Sequence, residues 1–188
     1  MTQDIKRKIE NRLSGLSIRR VDHPTVGDAG VLMPILQRSG ESVFLLTKRT
    51  DSVSTHKGQI SFPGGVHEAG DGSLLRTALR ETEEELGIPT ENVEVLGCFH
   101  EYLSVTELRV VPYVGFLKGL PEIKLNPSEV ERVLEVPLDF FRQSRPRREE
   151  RRKFGRVFPV FFYDFGDEVI WGLTAGIIRD FLTLLEMS

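Results

Sequence analysis

The pattern of apolar and polar positions along the chain predicts a single mixed α/β domain over residues 1–188. Apolar residues recur at helical spacing over about 4–14 and again over about 173–186, which predicts an amphipathic helix near each end. Two β-rich apolar runs, Val31–Leu36 and Ser42–Thr47, are separated by polar and turn-forming residues and predict a hairpin. Further strands are predicted at 59–62, 93–102, 108–117, 157–165 and 168–171.

Between these strands, the sequence predicts a helix that begins after Ser73 as N-cap and ends at Gly87. Glu81, Glu84 and Glu85 stand at i, i+3 and i+4, so their carboxylates share one helix face. A helical wheel places this face roughly opposite the packing residues Leu75, Ala78, Leu79, Thr82 and Leu86. Two like charges about 6 Å apart repel by roughly 3 kcal/mol at an effective dielectric of about 20. The cluster therefore needs either full solvation or a cation such as Mg²⁺.

A glycine-containing turn upstream of this helix favours a bound cation over a fully solvated acidic face. An isolated Glu-rich helix is usually a solvated face. Here Phe62 and Pro63 lead into Gly64 and Gly65, and glycines let a backbone approach a metal or a phosphate closely. Arg80 lies beside the acidic face and is spaced to pair with Glu84.

Composition and charge exclude several other classes. The 188 residues are 39% hydrophobic and 28% charged, as in ordinary soluble proteins. A net charge of −3 argues against a nucleic-acid or membrane surface as the general partner. No apolar run approaches the ~20 residues that span a bilayer. The single cysteine, Cys98, and an N-terminal stretch without a signal-peptide core predict a cytoplasmic protein.

The region of about 65–88 resembles the Nudix box of the Nudix hydrolases. The matching residues are Gly65, Asp71, Arg80, Glu81, Glu84, Glu85, Gly87 and Ile88. Asp71 stands where the family has Glu, one extra residue precedes Arg80, and Thr82 replaces an aliphatic residue. The resemblance implies a Nudix-type α/β/α sandwich with a mixed β-sheet and a metal-dependent pyrophosphohydrolase.

The resemblance also implies roles for the box residues. Glu81 and Glu85 would hold Mg²⁺ or Mn²⁺. Glu84 would be a third or water-mediated ligand, or the catalytic base. Gly65 would offer its carbonyl nearby, and Arg80 would orient the acidic face.

A second resemblance narrows the substrate to coenzyme A and its derivatives. Stretches similar to the coenzyme A pyrophosphatase branch are Leu45–Arg49, Gly58-Gln59, Phe62–Gly65, Thr77–Glu81 and Ile170–Ala175. Ser54 stands where that branch usually has Arg. By this resemblance Arg49, Gly64 and Gly65 would contact the substrate, and the products would be 3′,5′-ADP and 4′-phosphopantetheine compounds.

Two features leave alternatives open. Glu129 follows Asn126-Pro127-Ser128, which fits the capping box of a helix; in Nudix enzymes a carboxylate far from the box often serves instead as base or metal ligand. The basic stretch Arg142–Arg156 fits a solvated loop, or a site for the phosphates of coenzyme A.

Two alternatives to the coenzyme A hypothesis remain. One is a Nudix hydrolase of ADP-ribose, a dinucleoside polyphosphate or a capped RNA. The other is a Nudix-fold binding module without catalysis, against which the intact set of Glu81, Glu84 and Glu85 argues.

Overall fold

The computed structural model describes residues 2–50, 58–153 and 155–186 and shows a mixed α/β architecture. The helices are α1 Thr2–Ser14, α2 Leu74–Leu86, α3 Leu138–Gln143 and α4 Gly172–Glu186. The first strands are β1 Gly27–Arg38, β2 Glu41–Arg49, β3 Ile60–Ser61, β4 Gly64–Val66, β5 Val93–Cys98 and β6 Tyr102–Leu103. The later strands are β7 Leu108–Leu117, β8 Val130–Pro137, β9 Arg147–Lys153, β10 Arg156–Phe165 and β11 Glu168–Trp171.

The central sheet is mixed, as predicted. Its strand order is β3-β2-β1-β7-β5, in which β1 and β7 run parallel and the other neighbours are antiparallel. Strand β4 pairs with the first part of β1, whereas β2 pairs with its last part. Strands β4 and β2 therefore pair with different parts of β1. Strand β8 adds to β2, and a separate sheet has the order β11-β10-β9.

The hairpin predicted between the first two strands is present with a tighter turn. Strands β1 and β2 pair as far as Arg38 and Glu41, so only Ser39 and Gly40 form the connection. Their φ angles of 51° and 90° are those of the two-residue turns that match the twist of a hairpin. Gly40 adopts such an angle without the steric cost of a side chain.

Two hydrophobic layers make the domain an α/β/α sandwich. On one face of the central sheet, Ala78 and Leu86 of α2 pack in a cluster with Leu32 and Leu45. On the other face, α1, α4 and the three-stranded sheet contribute to a larger cluster. Its buried side chains include Ile9, Met33, Phe44, Phe99, Tyr163, Phe181 and Leu185. Full burial of side chains of this size contributes roughly 1.5–3 kcal/mol each.

Two sequence predictions are wrong in detail. The strand predicted over 93–102 is interrupted: β5 ends at Cys98, Glu101 donates its N–H to the Arg19 carbonyl, and pairing with β7 resumes in β6 at Tyr102. The basic stretch predicted as a loop forms β9, which pairs with β10. There Arg147 and Arg151 cover the ring of Phe162, at 5.0 and 5.7 Å from its centroid. These stacking contacts let a charged segment form a strand.

Among the described residues, no helix is both long enough and apolar enough to cross a membrane.

Candidate active site

Helix α2 lies directly on the central sheet at Gly30 of β1. A Cβ at Gly30 would be 2.1 Å from the carbonyl oxygen of Leu74, so only glycine permits this approach. The predicted ends of α2 are confirmed. Ser73 Oγ accepts a hydrogen bond from the Arg76 N–H at 3.3 Å, and Gly87 takes the left-handed conformation with φ 66°.

Three carboxylates meet at the open side of α2. Oxygen atoms of Glu81, Glu85 and Glu129 all lie within 4.8 Å of one another. Glu84, the other predicted box ligand, is not part of this group; its carboxylate contacts Arg80 at 2.9 Å, and its side chain is 53% exposed. The structure thus brings together two of the three box glutamates and one carboxylate from outside the box.

The helical wheel misplaced Glu85. This residue is only 3% exposed and lies on the packing side of α2 with Ala78 and Leu86, not opposite them. At 100° per residue, positions 78 and 85 differ by only about 20°, so their side chains are neighbours on the helix surface. The acidic face is therefore divided: Glu85 is buried, Glu81 lies at the edge and Glu84 faces solvent.

The capping interpretation of Glu129 is also wrong. No described helix begins at Asn126; residues 126–129 form a turn that leads into β8. Because its side chain has no helix end to cap, the Glu129 carboxylate can join those of Glu81 and Glu85. Sequence alone could not bring residue 129 to residues 81 and 85, since the approach depends on the pairing of β8 with β2.

Glu85 is buried without a hydrogen-bond partner for one of its oxygens. Within the described part of the chain, Glu85 Oε2 and Arg49 Nε have no partner, and Arg49 Nη1 is 4.0 Å from Glu85 Oε1. Burial raises the pKa of Glu85 to about 8, and the nearby Arg49 offsets this only in part. Burial also raises the pKa of Glu81. A buried carboxylate that lacks donors is costly unless a cation compensates it.

Arg80 links the loop before α2 to the acidic residues. Its Nε and Nη2 donate to the two carboxylate oxygens of Asp71 at 2.7 and 3.1 Å. Its Nη1 lies 2.9 Å from both Glu81 Oε1 and Glu84 Oε2. Asp71 can reach Arg80 although it is shorter than Glu by one methylene, and the extra residue of the box lies in this same loop.

The two glycines predicted in a turn lie in strand β4, and close contacts require both of them. A Cβ at Gly65 would lie 2.4 Å from the carboxylate carbon of Glu81. Gly64 has φ 151°, and a Cβ there would be 2.5 Å from the Gly30 carbonyl oxygen. The backbone of β4 is therefore in direct contact with the acidic group, where a side chain would displace it.

These residues fit a hard divalent cation. The three carboxylates provide oxygen ligands, which Mg²⁺ prefers and Mn²⁺ accepts. The unpartnered Glu85 Oε2 is the observation that favours a metal, because an ion would supply the missing partner.

Comparison with known proteins identifies the family. The model of the NUDIX domain matches residues 27–158, which include β1, the box and Glu129. The chain belongs to the Nudix family. Nudix hydrolases generally use divalent cations such as Mg²⁺ or Mn²⁺, and family membership supports hydrolysis of a diphosphate bond in a nucleoside diphosphate derivative.

Curated relatives agree with this assignment. A protein of Citrobacter koseri named uncharacterized Nudix hydrolase NudL is 37% identical over 163 residues, covering 81% of this chain and 79% of its own. A protein of the same name from Photorhabdus laumondii is 40% identical over 152 residues, covering 80% of this chain and 81% of its own. Nudix hydrolase 15, mitochondrial, of Arabidopsis thaliana is 40% identical over 146 residues, or 74% of this chain. The match spans about half, 51%, of that plant protein.

Solved structures share the fold. A C. elegans Ap4A hydrolase in a binary complex superposes with a TM-score of 0.51 at 21% identity, covering 61% of this chain and 82% of its own. The protein DR0079 of Deinococcus radiodurans gives a TM-score of 0.53 at 15% identity, covering 85% and 87%. At these identities the likeness concerns the Nudix-type sandwich alone, as expected from the box.

Proposed function

We propose that the protein hydrolyses the diphosphate bond of coenzyme A and its derivatives in a metal-dependent reaction. The single observation that carries the metal-dependent part is the meeting of the Glu81, Glu85 and Glu129 carboxylates, one of which, that of Glu85, has a buried and unpartnered oxygen. These three carboxylates would hold Mg²⁺ or Mn²⁺. When bound, such an ion neutralises diphosphate oxygens and lowers the pKa of a coordinated water.

The protein's own groups supply binding and proton transfer. Glu129 is the favoured general base, since it is half-buried at the acidic cluster, and Glu84 is the alternative. Glu84 stands outside the cluster but is oriented by Arg80, which also contacts Glu81. Positioning and charge stabilisation account for most of the expected rate enhancement in phosphoryl transfer, because little covalent chemistry is required of the protein.

The coenzyme A assignment rests on the resemblance of five stretches to that branch, and the position of one of their residues supports it. Arg49 ends the stretch Leu45–Arg49 that resembles the coenzyme A branch, and β2 places it beside Glu85. Its side chain is 27% exposed, so its guanidinium would be able to contact a phosphate, which arginine binds in bidentate fashion. Gly64 and Gly65 would contact the diphosphate through their backbone, since β4 lies against the acidic group. Ser54, where that branch usually has Arg, lies outside the described residues.

The basic stretch of residues 142–156 contributes less to this proposal. In β9, Arg147 bonds to Asp164 at 3.2 Å, and Arg151 bonds to Glu149 at 3.2 Å. These pairs and the aromatic contacts account for both arginines without a phosphate ligand. We therefore expect neutral substitutions of Arg147 or Arg151 to leave KM for coenzyme A unchanged within about twofold.

A substrate panel tests the proposal. Coenzyme A, ADP-ribose, diadenosine tetraphosphate and a capped RNA are each incubated with Mg²⁺ or Mn²⁺, and products are separated by chromatography. We expect the highest kcat/KM for coenzyme A, with 3′,5′-ADP and 4′-phosphopantetheine as products. A higher kcat/KM for another substrate would assign the enzyme to that substrate, and no metal-dependent turnover on any of them would favour a binding module. Cytoplasmic location is proposed from the single cysteine.

A further inference from the structure

The turn at residues 126–129 is attached to the C-terminal end of α2. The last carbonyls of a helix have no partner within the helix and need donors from elsewhere. Here the Lys124 N–H donates to the Leu86 carbonyl at 2.8 Å, and the Asn126 N–H donates to the Glu85 carbonyl at 3.1 Å. The backbone at Asn126, just before Glu129, is thus hydrogen-bonded to Glu85. The Glu85 carboxylate is also the one that lies near the Glu129 carboxylate.

The side chain of Asn126 organises the turn from within. Its Oδ1 accepts hydrogen bonds from the Ser128 N–H at 3.2 Å and from Ser128 Oγ at 2.5 Å. Its backbone carbonyl accepts from the N–H groups of Glu129 at 3.1 Å and Val130 at 2.9 Å. An asparagine that bonds to the backbone two residues ahead stabilises a turn without any helix or sheet.

The other end of the turn is attached to the end of β2. The Thr50 N–H donates to the Glu129 carbonyl at 3.0 Å, and Thr50 Oγ1 donates to the Ser128 carbonyl at 3.3 Å. Thr50 directly follows Arg49. The turn therefore connects the two elements that carry Glu85 and Arg49, and it fixes the backbone of Glu129 between them.

We propose that Asn126 is a positioning residue that holds the Glu129 carboxylate in the metal site; this inference rests on the proposed function. A glutamate on a free loop would lose backbone and side-chain entropy each time it joined Glu81 and Glu85. The hydrogen bonds of Asn126 reduce this loss before a cation binds. Among the described residues, the hydrogen bonds of Asn126 go to the turn and to the Glu85 backbone carbonyl and not to the three carboxylates, so its effect passes through Glu129.

The test is the affinity of the purified, folded protein for Mn²⁺, measured by titration calorimetry and by the electron paramagnetic resonance signal of free Mn²⁺. Asn126→Leu removes the acceptor at similar volume, and we expect the dissociation constant to rise about 10-fold, as when a partner of a metal ligand is removed. Asn126→Asp keeps the acceptor and should remain within about threefold of the wild type. Asn92→Leu is the control, since Asn92 is also half-buried and is bonded to Lys118 through its backbone carbonyl.

A double-mutant cycle separates positioning from a general structural role. In a Glu129→Gln background, Asn126→Leu should cause little further loss, because the residue through which it acts has already changed. A folded Asn126→Leu protein that binds Mn²⁺ as the wild type does, or full additivity in the cycle, would overturn the inference. Glu85→Gln tests the metal site itself. If that variant weakens Mn²⁺ binding and Asn126→Leu does not, the proposed site stands without the positioning role; if neither does, both proposals fail.

Discussion

Asp71 and Glu85 are both buried carboxylates of the Nudix box, yet their surroundings are opposite. Asp71 is 7% exposed and accepts four hydrogen bonds: two from Arg80, one from Thr77 at 2.8 Å and one from the Glu68 N–H at 3.0 Å. Glu85 is 3% exposed and, among the described residues, one of its oxygens accepts none.

The difference separates a carboxylate that supports the fold from one that awaits a ligand. Hydrogen bonds from Arg80 hold the pKa of Asp71 well below its usual range, so its charge is stabilised by the protein itself. Burial raises the pKa of Glu85 to about 8, so its charge is stabilised only when something else is present. Burial alone therefore does not identify a functional acid, whereas a buried carboxylate oxygen that lacks a donor does indicate one.

The largest expected effect is that of Glu85→Gln. The amide keeps the size of the side chain and removes the negative charge that would hold a divalent cation. We expect kcat/KM to fall at least about 100-fold, the scale of losing one electrostatic contact in the transition state. The melting temperature of the metal-free protein should not fall, since burial already disfavours the ionised form. Steady-state kinetics and calorimetry measure the two effects.

Glu83→Gln is the matched control on the same helix. Glu83 is exposed and lies outside the acidic group, and within the described part of the chain its side chain accepts one hydrogen bond, from Thr90 at 3.4 Å. Near wild-type turnover by folded Glu85→Gln protein would refute the metal assignment, whereas an equal loss in both variants would point to a general electrostatic effect.

The opposite pattern is expected for Asp71→Asn. This change leaves Arg80 Nε and Nη2 without the Asp71 carboxylate in a partly buried position, so the melting temperature should fall by about 5 °C or more. Activity per folded molecule should fall less than in Glu85→Gln, because Arg80 keeps its contacts with Glu81 and Glu84. Asp139→Asn serves as control, since Asp139 forms an exposed pair with Arg142. A large loss of activity per folded molecule with little change in melting temperature would place Asp71 in the catalytic machinery instead.

Local patterns predicted the ends of α2 better than the site. Ser73 and Gly87 act through their own backbone surroundings, so their residue types were enough. Glu129 was ambiguous because its role depends on strand pairing and on the turn attached to β2. The wheel misplaced Glu85 because it assigned a charged residue to solvent, whereas the geometry of the helix puts it beside Ala78. Arg49 was placed only by resemblance, and its approach to Glu85 is a tertiary contact.

A smaller effect should appear as a pH dependence of stability. The pKa of Glu85 is raised to about 8 in the folded protein from the ordinary 4.5. Between these values the folded state binds more protons than the unfolded state, so the free energy of unfolding should fall as pH rises and level off above about 8. We expect a loss of about 1 kcal/mol or more in metal-free protein between pH 5 and pH 8.

Urea denaturation at several pH values, with EDTA, measures this loss. Subtracting the Glu85→Gln curve isolates the contribution of Glu85, and saturating Mg²⁺ should reduce the fall because a cation favours the ionised form. Parallel curves for the wild type and Glu85→Gln would show that Glu85 has an ordinary pKa in the folded protein.

The smallest effect is expected at Thr82, the remaining departure from the Nudix box. Thr82 is fully buried, like Asp71 and Glu85, but its Oγ1 donates to the Ala78 carbonyl one turn earlier, at 2.7 Å. A carbonyl inside a helix already accepts from the backbone, so Thr82→Val leaves no acceptor unpaired, and threonine bonds of this kind add little to helix stability. We expect the free energy of unfolding to change by no more than about 0.5 kcal/mol. We expect kcat/KM to change by no more than about twofold. A loss above about 2 kcal/mol would mean that the hydroxyl supports α2 in a way that the helix itself cannot replace.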